Sequence, residues 1–184
     1  KRLENQELIV RGGIPILFPI CGNLPNNIYK YNGKNYFLKQ HGFARELPWK
    51  VIEKSTQDRA SITLVLTSNR FTKTVYPFDF KLTFTYKVKG NFLEIFQVYT
   101  NLSNTQRMPF STGLHPYFFA PNKYQLHFDI PSMQYLETKT GTVNDNDGKF
   151  DLNQDEVNAL FGKLTGLATT VYDQSRGLKI ILSY

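Results

Sequence analysis

Residues 80–100 read FKLTFTYKVKGNFLEIFQVYT and decide the fold class of this chain. Apolar and polar side chains alternate along residues 80–89, so the apolar ones share one face of a strand. A second run rich in apolar residues follows at residues 92–100, and Gly90-Asn91 lies between the two runs. Because a Gly-Asn pair in that position indicates a tight turn, the stretch predicts a hairpin of two antiparallel strands.

The rest of the chain carries several more strand patterns. Residues 61–67 alternate polar and apolar side chains, and shorter candidates occupy residues 125–130, 169–173 and 178–183. Many short strands without helical periods between them are typical of antiparallel sheets in a sandwich or barrel. We therefore predict an all-β fold, an antiparallel β-sandwich, with residues 1–184 in a single domain.

Two segments between these strands predict a helix and a loop. Asn153 can cap a short helix with Glu156 as its capping-box partner, and Gly162 would end that helix. Residues 140–149 are rich in Asn, Asp and Gly, which predicts a surface turn. They resemble a calcium loop only in part, because the bidentate acid at its twelfth position is missing.

The composition excludes several classes of protein. Of the 184 residues, 41% are hydrophobic and 20% charged, which excludes intrinsic disorder. No apolar run approaches the roughly 20 residues that cross a bilayer, so we expect no membrane partner. Cys21 is the only cysteine, which excludes an internal disulfide or a cysteine-based zinc site. A lone cysteine also favours the reducing cytoplasm as the location of the protein.

The positive charge does not indicate nucleic-acid binding. The formal net charge is +7, but the basic residues are scattered singly and form no cluster of five or more. No fingerprint of a nucleic-acid-binding fold is present, so a nucleic-acid-binding β-barrel would rest on charge alone. The basic excess instead favours an anionic small substrate.

Three segments carry residues that could do chemistry. They are RGGIPILFP at 11–19, QHGFAR at 40–45 and PFSTGLHPYF at 109–118. In the first, paired glycines allow a close backbone approach and Arg11 can fork onto a carboxylate or phosphate. The alternative for this segment is a tight turn with a solvent-exposed arginine. Near the second, Trp49 could stack on a sugar face.

Two of the three histidines can be interpreted from their local sequence. His115 lies in an apolar stretch bounded by prolines, so we expect burial to lower its pKa. The alternative is a core histidine whose nitrogens are satisfied by backbone groups. His127 falls on the polar side of an alternating strand and is assigned no role.

Together and in this order, the three segments resemble those of the aldose 1-epimerases, or mutarotases. The motifs Arg-Gly-Gly-Ile-Pro, His-Gly-Phe-Ala-Arg and Pro-Phe-Ser followed by Leu-His-Pro-Tyr-Phe are most similar to the branch that acts on hexose 6-phosphates. The resemblance implies the galactose mutarotase-like β-supersandwich, with this chain as its central part. It also implies interconversion of the α and β anomers of a hexose or hexose 6-phosphate, a small-molecule sugar or sugar phosphate.

The resemblance implies a role for each matched residue. His115 matches the general acid that protonates the ring oxygen, and His41 matches a histidine that binds sugar hydroxyls. Arg11 and Arg45 match the arginines that hold the phosphate. The alternative is that both arginines pair with carboxylates such as Glu46. Because an acid and a base are enough for this reaction, the resemblance implies no metal and no cofactor.

The chain departs from the family pattern in its acidic residues. The general base of the family is a Glu on a C-terminal strand, and we expect that motif beyond Tyr184. Asp173 is a shifted candidate for a sugar-binding Asp and is not assigned that role. We therefore expect a sandwich truncated at both ends, and a non-catalytic carbohydrate-binding protein on the same fold remains the alternative.

Overall fold

A computed structural model describes residues 12–184 of the chain. The residues that the structure describes divide into two compact units, a first one that ends at Tyr117 and a second one that runs from Phe118 to Tyr184. Neighbouring strands within the described sheets pair antiparallel, which confirms the all-β prediction. Within the described part of the chain, no helix has the length and apolar character that crossing a bilayer requires. The assignment of residues 1–184 to one domain stays a prediction.

The first unit contains eight of the described strands and one short helix. In chain order these are β1 (Ile16–Leu17), β2 (Ile28–Tyr31), β3 (Lys34–Phe37), β4 (Lys50–Ser55), β5 (Ala60–Thr67), α1 (Arg70–Val75), β6 (Phe80–Lys89), β7 (Phe92–Asn101) and β8 (Gly113–Leu114). β4, β5, β6 and β7 form one sheet in that order, and β2–β3 and β1–β8 form two-stranded pairs. A 3₁₀ turn at Pro25–Asn27 precedes β2.

The β6–β7 hairpin confirms the prediction from residues 80–100. The register pairs Lys89 with Phe92 at the turn and Phe80 with Asn101 at the open end. Along β6, Phe80, Leu82 and Phe84 are fully buried on one face, whereas Val88 on the same face is 47% exposed. The half of the hairpin away from the turn therefore faces the core.

Phe18 is the centre of this core. It is fully buried, and its ring centroid lies 5.2 Å from that of Phe80 and 5.7 Å from that of Tyr76. Phe43 approaches the same ring at 6.1 Å. Each buried aromatic ring stabilises the fold by about 1.5–3 kcal/mol through removal of apolar surface from water. The core thus holds Phe43, two residues after His41, and Phe110, five residues before His115.

The helix α1 was not predicted from the sequence. Asn69 and Thr72 cap it reciprocally: the Thr72 N–H donates to Asn69 Oδ1 at 2.9 Å, and the Asn69 N–H donates to Thr72 Oγ1 at 2.8 Å. Threonine takes the place that Glu or Gln holds in the usual capping box, so the sequence does not show the usual pattern of a helix start. The helix leads to Tyr76, whose hydroxyl donates to the Pro109 carbonyl at 2.9 Å.

The second unit consists of two three-stranded sheets. Its strands are β9 (Leu126–Asp129), β10 (Gln134–Glu137), β11 (Thr142–Asp145), β12 (Ala159–Leu160), β13 (Ala168–Asp173) and β14 (Leu178–Ser183), with a 3₁₀ turn at Lys123–Gln125 before β9. The sheet orders are β11-β10-β12 and β14-β13-β9. The strands predicted at 125–130, 169–173 and 178–183 are confirmed as β9, β13 and β14.

The helix predicted from Asn153 to Gly162 is wrong. Asp151 Oδ1 accepts hydrogen bonds from both the backbone N–H and the side-chain amide of Asn153, each at 3.0 Å, and holds a turn there. Ala159 and Leu160 then pair with β10. An isolated helix of this length is marginal in water, so strand pairing satisfies the backbone instead.

The loop predicted at residues 140–149 is wrong in its first half. Residues 142–145 form β11, which pairs with β10 over four residues. The Gly141 N–H donates to the Glu137 carbonyl at 2.8 Å and closes the turn between the two strands. Residues 146–149 remain irregular, as expected, and the Asn146 side chain donates to the carbonyls of Ile130 and Ser132.

Candidate active site

The first unit brings two histidines from distant parts of the chain together. The ring centroids of His41 and His115 lie 6.1 Å apart, with the ring planes inclined by 66°. Both were singled out in the sequence. The pairing needs two separate loops to be fixed by the backbone, and each loop is held in a different way.

The His41 loop is held by a close approach to the chain around Phe18. Phe18 and Gly42 form an isolated bridge, and the Phe43 and Ala44 N–H groups donate to the Phe18 carbonyl at 3.0 and 3.3 Å. His41 and Gly42 both have positive φ, 65° and 68°. A Cβ at position 42 would lie 2.2 Å from the Phe18 carbonyl oxygen, so only glycine fits there.

The His41 ring is half-buried and held in one orientation. Its Nδ1 accepts a hydrogen bond from the Gly22 N–H at 2.9 Å. In neutral His41 the proton therefore resides on Nε2, since Nδ1 is the acceptor. Burial, followed by the charges of Arg45 and His115, lowers the pKa of His41 below its ordinary value. The hydrogen bond to the unprotonated Nδ1 favours the neutral ring as well.

The His115 segment is held by β1. β8 pairs with β1, and beyond it the His115 N–H donates to the Pro15 carbonyl at 3.0 Å. The imidazole stacks on Tyr117 with ring centroids 4.7 Å apart and planes inclined by 27°. The side chain is exposed, so the expected burial of His115 is wrong. Because β8 is only two residues long, the chain leaves the core before His115 and its ring faces solvent.

The arginines of the predicted site differ in what can be said of them. Arg11 lies outside the described residues. Arg45 donates to the Gln40 carbonyl at 3.1 Å, and no ion pair within residues 12–184 involves it. Glu46, the expected alternative partner, lies 3.9 Å from the Lys39 ammonium instead. The Arg45 charge is therefore available near His41.

Trp49 supports the His41 loop from the core side. Its indole N–H donates to the Ala44 carbonyl at 2.9 Å, and its ring packs edge-on against Phe84 at 5.2 Å. These contacts use the ring within the fold, so the expected sugar-stacking role for Trp49 is not supported.

Ser111 was quoted in a motif but given no role, and the structure places it between the two loops. Its N–H donates to the Pro19 carbonyl and its Oγ accepts from the Cys21 N–H, both at 2.9 Å. The next residue, Thr112, donates from Oγ1 to the Leu17 carbonyl at 3.0 Å. A serine two residues before a glycine gives no signal of such contacts in the sequence.

Asp173, the shifted candidate for a sugar-binding acid, lies in the second unit and is 1% exposed. Its carboxylate accepts hydrogen bonds from Ser175 Oγ and from Arg176 Nε at 2.6 Å. The hydrogen bond from Ser175, and then the contact with Arg176, lowers the pKa of Asp173. These bonds hold the turn between β13 and β14, which accounts for the residue structurally.

The donor groups near the two histidines can be named from the described residues. Among residues 12–184, no three His, Cys, Asp or Glu side chains are grouped so that they could hold a metal ion. The Cys21 thiol is free, and burial raises its pKa. The site therefore offers two imidazoles and a guanidinium, which suit proton transfer and hydrogen bonding to an anionic or hydroxylated ligand.

Comparison with known families gives one clear match. The family profile described as aldose 1-epimerase matches residues 10–179. A protein of Escherichia coli (strain K12), provisionally named a glucose-6-phosphate 1-epimerase, is 31% identical over 110 residues, which are 59% of this chain and 32% of that protein. The chain spans between 32% and 45% of the length of the curated relatives it matches.

Solved structures with the same fold give the same result. The Slr1438 protein from Synechocystis sp. PCC 6803 is 47% identical with a TM-score of 0.93, covering 99% of this chain and 63% of that one. A galactose mutarotase related enzyme from Lactobacillus acidophilus is 29% identical with a TM-score of 0.77, covering 91% of this chain and 61% of that one. The predicted galactose mutarotase-like fold is confirmed by these likenesses.

Proposed function

We propose, from the premise that this chain belongs to the aldose 1-epimerase family, that the protein interconverts the α and β anomers of a hexose or hexose 6-phosphate. The observation that carries the proposal is the approach of the His41 and His115 rings to 6.1 Å. Two imidazoles with different environments can act as a proton donor and a neutral hydrogen-bonding group around one small ligand.

In the proposed reaction His115 is the general acid. A base takes the proton of the C1 hydroxyl, the bond between C1 and the ring oxygen breaks, and His115 gives its proton to that oxygen. The open-chain aldehyde rotates and the steps reverse to close the other anomer. The exposed His115 ring suits this role because a sugar can reach it, and stacking on Tyr117 fixes its plane.

His41 is proposed to bind sugar hydroxyls as a neutral ring. Its lowered pKa keeps it uncharged at neutral pH, and its Nε2–H is then a donor to an oxygen of the sugar. A positive charge on His115 also disfavours a positive charge on His41, since two neighbouring imidazolium ions repel each other. The pair therefore divides into one ring that carries a mobile proton and one that does not.

The general base is proposed to be a Glu in a C-terminal strand, as the family resemblance implies. Sequencing the gene past the codon for Tyr184 tests this assignment. A Glu within an apolar and aromatic strand context there supports the enzyme. Its absence from the gene would favour a non-catalytic carbohydrate-binding protein.

Mutarotation measurements test the function itself. With the protein from the complete gene, we expect His115→Asn to lower kcat by roughly 10²–10⁴-fold while thermal stability stays nearly unchanged. His127→Asn is the matched control, because His127 is an exposed strand histidine without a proposed role. Polarimetry with free hexoses and exchange NMR with hexose 6-phosphates supply the rates. An active His115→Asn variant, or one that unfolds, would remove His115 from the mechanism.

Arg45, together with Arg11, is proposed to hold the phosphate of a phosphorylated hexose. Calorimetry should then show tighter binding of glucose 6-phosphate than of glucose, with a difference that shrinks as salt increases. Arg45→Gln should reduce this difference, whereas Arg70→Gln, a change of an exposed arginine at the start of α1, should not. Equal affinity for the two sugars at every salt concentration would make the substrate an unphosphorylated aldose.

A cytoplasmic location is proposed from the state of the cysteine. The described thiol, Cys21, is free and exposed, as is usual for proteins of a reducing compartment. A small sugar or sugar phosphate is the proposed partner, and cell fractionation tests the location.

A further inference from the structure

We infer that Ser111 is a positioning residue that sets the orientation and tautomer of His41. The inference rests on the proposed function only for its effect on rate. The geometry itself is a chain of hydrogen bonds from the His115 segment, through the loop at residues 19–22, to the His41 ring.

The first link ties Ser111 to the loop at residues 19–22. The Ser111 N–H donates to the Pro19 carbonyl and its Oγ accepts from the Cys21 N–H, both at 2.9 Å. One residue therefore holds both ends of a three-residue stretch. Only the bond to Cys21 depends on the hydroxyl, which makes that bond open to a side-chain substitution.

The second link ties the same loop to His41. The Gly22 N–H donates to His41 Nδ1, and the His41 N–H donates to the Gly22 carbonyl, both at 2.9 Å. The Cys21 N–H and the Gly22 N–H belong to consecutive peptide units that meet at the Cys21 Cα. The bond to Ser111 therefore holds the first unit in place, and it restricts the direction of the Gly22 N–H through the φ and ψ angles of Cys21. A rotation of the second unit would withdraw the donor from the ring.

The consequence is a single state of the His41 ring. While the Gly22 N–H points at Nδ1, a proton on Nδ1 would set two N–H donors against each other. Nε2–H is therefore the only neutral tautomer that fits this geometry. The charged groups that face the ring, Arg45 and His115, favour the neutral form but do not select a tautomer. Selection of the tautomer therefore falls to the Gly22 N–H and, through it, to Ser111.

This arrangement also links the two histidines of the proposed site. Ser111 lies four residues before His115 on the same segment. Its hydroxyl accepts from the Cys21 N–H, and the adjacent Gly22 N–H donates to His41. A displacement of one loop is thereby transmitted to the other. The substrate would meet a donor at His41 Nε2 and an acid at His115 in a fixed relation.

Ser111→Ala tests the inference by NMR of ¹⁵N-histidine in the protein from the complete gene. In the parent, we expect the His41 spectrum of an unprotonated Nδ1 and a protonated Nε2. The variant removes one hydrogen bond, so the preference for this tautomer should fall roughly 2–10-fold. The titration midpoint of His41 should rise toward its ordinary value. Ser111→Thr keeps a hydroxyl and should restore both signals.

The control is Ser55→Ala. The Ser55 hydroxyl also accepts a backbone N–H bond, from Gln57 at 3.2 Å, but at the end of β4. It should leave the His41 spectrum unchanged. If Ser111→Ala does not fold, Ser111→Cys, which keeps a similar shape with a weaker acceptor, replaces it.

The outcomes separate this inference from the proposed function. A parent-like tautomer and titration of His41 in Ser111→Ala, or in Ser111→Cys as its replacement, overturn the positioning role even if the parent catalyses mutarotation. If Ser111→Ala changes the His41 spectrum but the parent has no mutarotase activity, the positioning role stands and the proposed reaction is refuted. If both hold, Ser111→Ala should lower kcat by roughly 2–10-fold, with Ser111→Thr recovering it.

Discussion

Replacement of Gly42 by alanine should be among the most damaging single-methyl additions in the described part of the first unit. An added Cβ would lie 2.2 Å from the Phe18 carbonyl oxygen, 2.5 Å from the Phe18 carbonyl carbon and 2.7 Å from Pro19 Cδ. Contacts below 3.0 Å essentially never occur for a real Cβ, so the backbone must move. Gly42 is buried, and two of the three blocking atoms belong to the main chain, which cannot rotate away.

The magnitude can be assembled from two parts. The positive φ of 68° at Gly42 costs an L-residue about 1–2 kcal/mol. Moving the loop away from Phe18 also weakens the hydrogen bonds that Phe43 and Ala44 donate to the Phe18 carbonyl. Each of these contributes about 0.5–1.5 kcal/mol, and a buried group left unpaired costs more. The free energy of unfolding should therefore fall by about 2–5 kcal/mol.

Gly33→Ala is the matched control for the conformational part. Gly33 also has positive φ, 76°, but an added Cβ would have no atom within 4 Å. We expect a loss of about 1–2 kcal/mol there, from the backbone conformation alone. Urea unfolding followed by circular dichroism measures both variants. A Gly42→Ala variant within about 1 kcal/mol of Gly33→Ala would refute the close approach between the His41 loop and Phe18.

Two further predictions concern the core and the second unit. Phe80→Ala should lower the free energy of unfolding by about 3–5 kcal/mol because the ring is fully buried. Phe92→Ala, at a ring that is 72% exposed, should change it by less than about 0.5 kcal/mol. Equal losses in urea unfolding would contradict the assigned core. Asp173→Asn should lower the melting temperature at pH 7, since the lowered pKa of Asp173 means that its charged form stabilises the fold. That stabilisation is present above the unfolded pKa of about 4 and is lost as pH falls through the folded pKa, so the difference between parent and variant should shrink at pH 3; a constant difference would contradict it.

Strand positions were predictable because their signal is local. The alternation at residues 80–89 matches β6, and residues 178–183 match β14, because side-chain direction in a strand repeats every two residues whatever the partner. The hairpin turn is equally local, since the Gly-Asn pair itself supplies the conformation. The helix at Asn153 failed for the opposite reason. Its caps were present in the sequence, but pairing of residues 159–160 with β10 competed successfully for the backbone.

The candidate site was predictable only as a set of residue types. The motifs at residues 40–45 and 109–118 singled out His41 and His115 as candidate site residues, and their roles stay predictions. Neither motif predicts the distance between the two imidazole rings, because that distance depends on contacts to β1 and to Phe18. The expected burial of His115 failed because local apolar neighbours do not determine which way a chain leaves a two-residue strand.

The sequence by itself determined the all-β class and the main strands, and it singled out two histidines that the structure brings together. The tertiary structure alone decided that His115 is exposed and that His41 is half-buried with Nδ1 bonded to the Gly22 N–H. The physical reason is the separation along the sequence over which each interaction acts. Alternation and turn chemistry act between neighbouring residues, whereas solvation and hydrogen-bond direction at these rings depend on backbone groups brought from elsewhere in the fold.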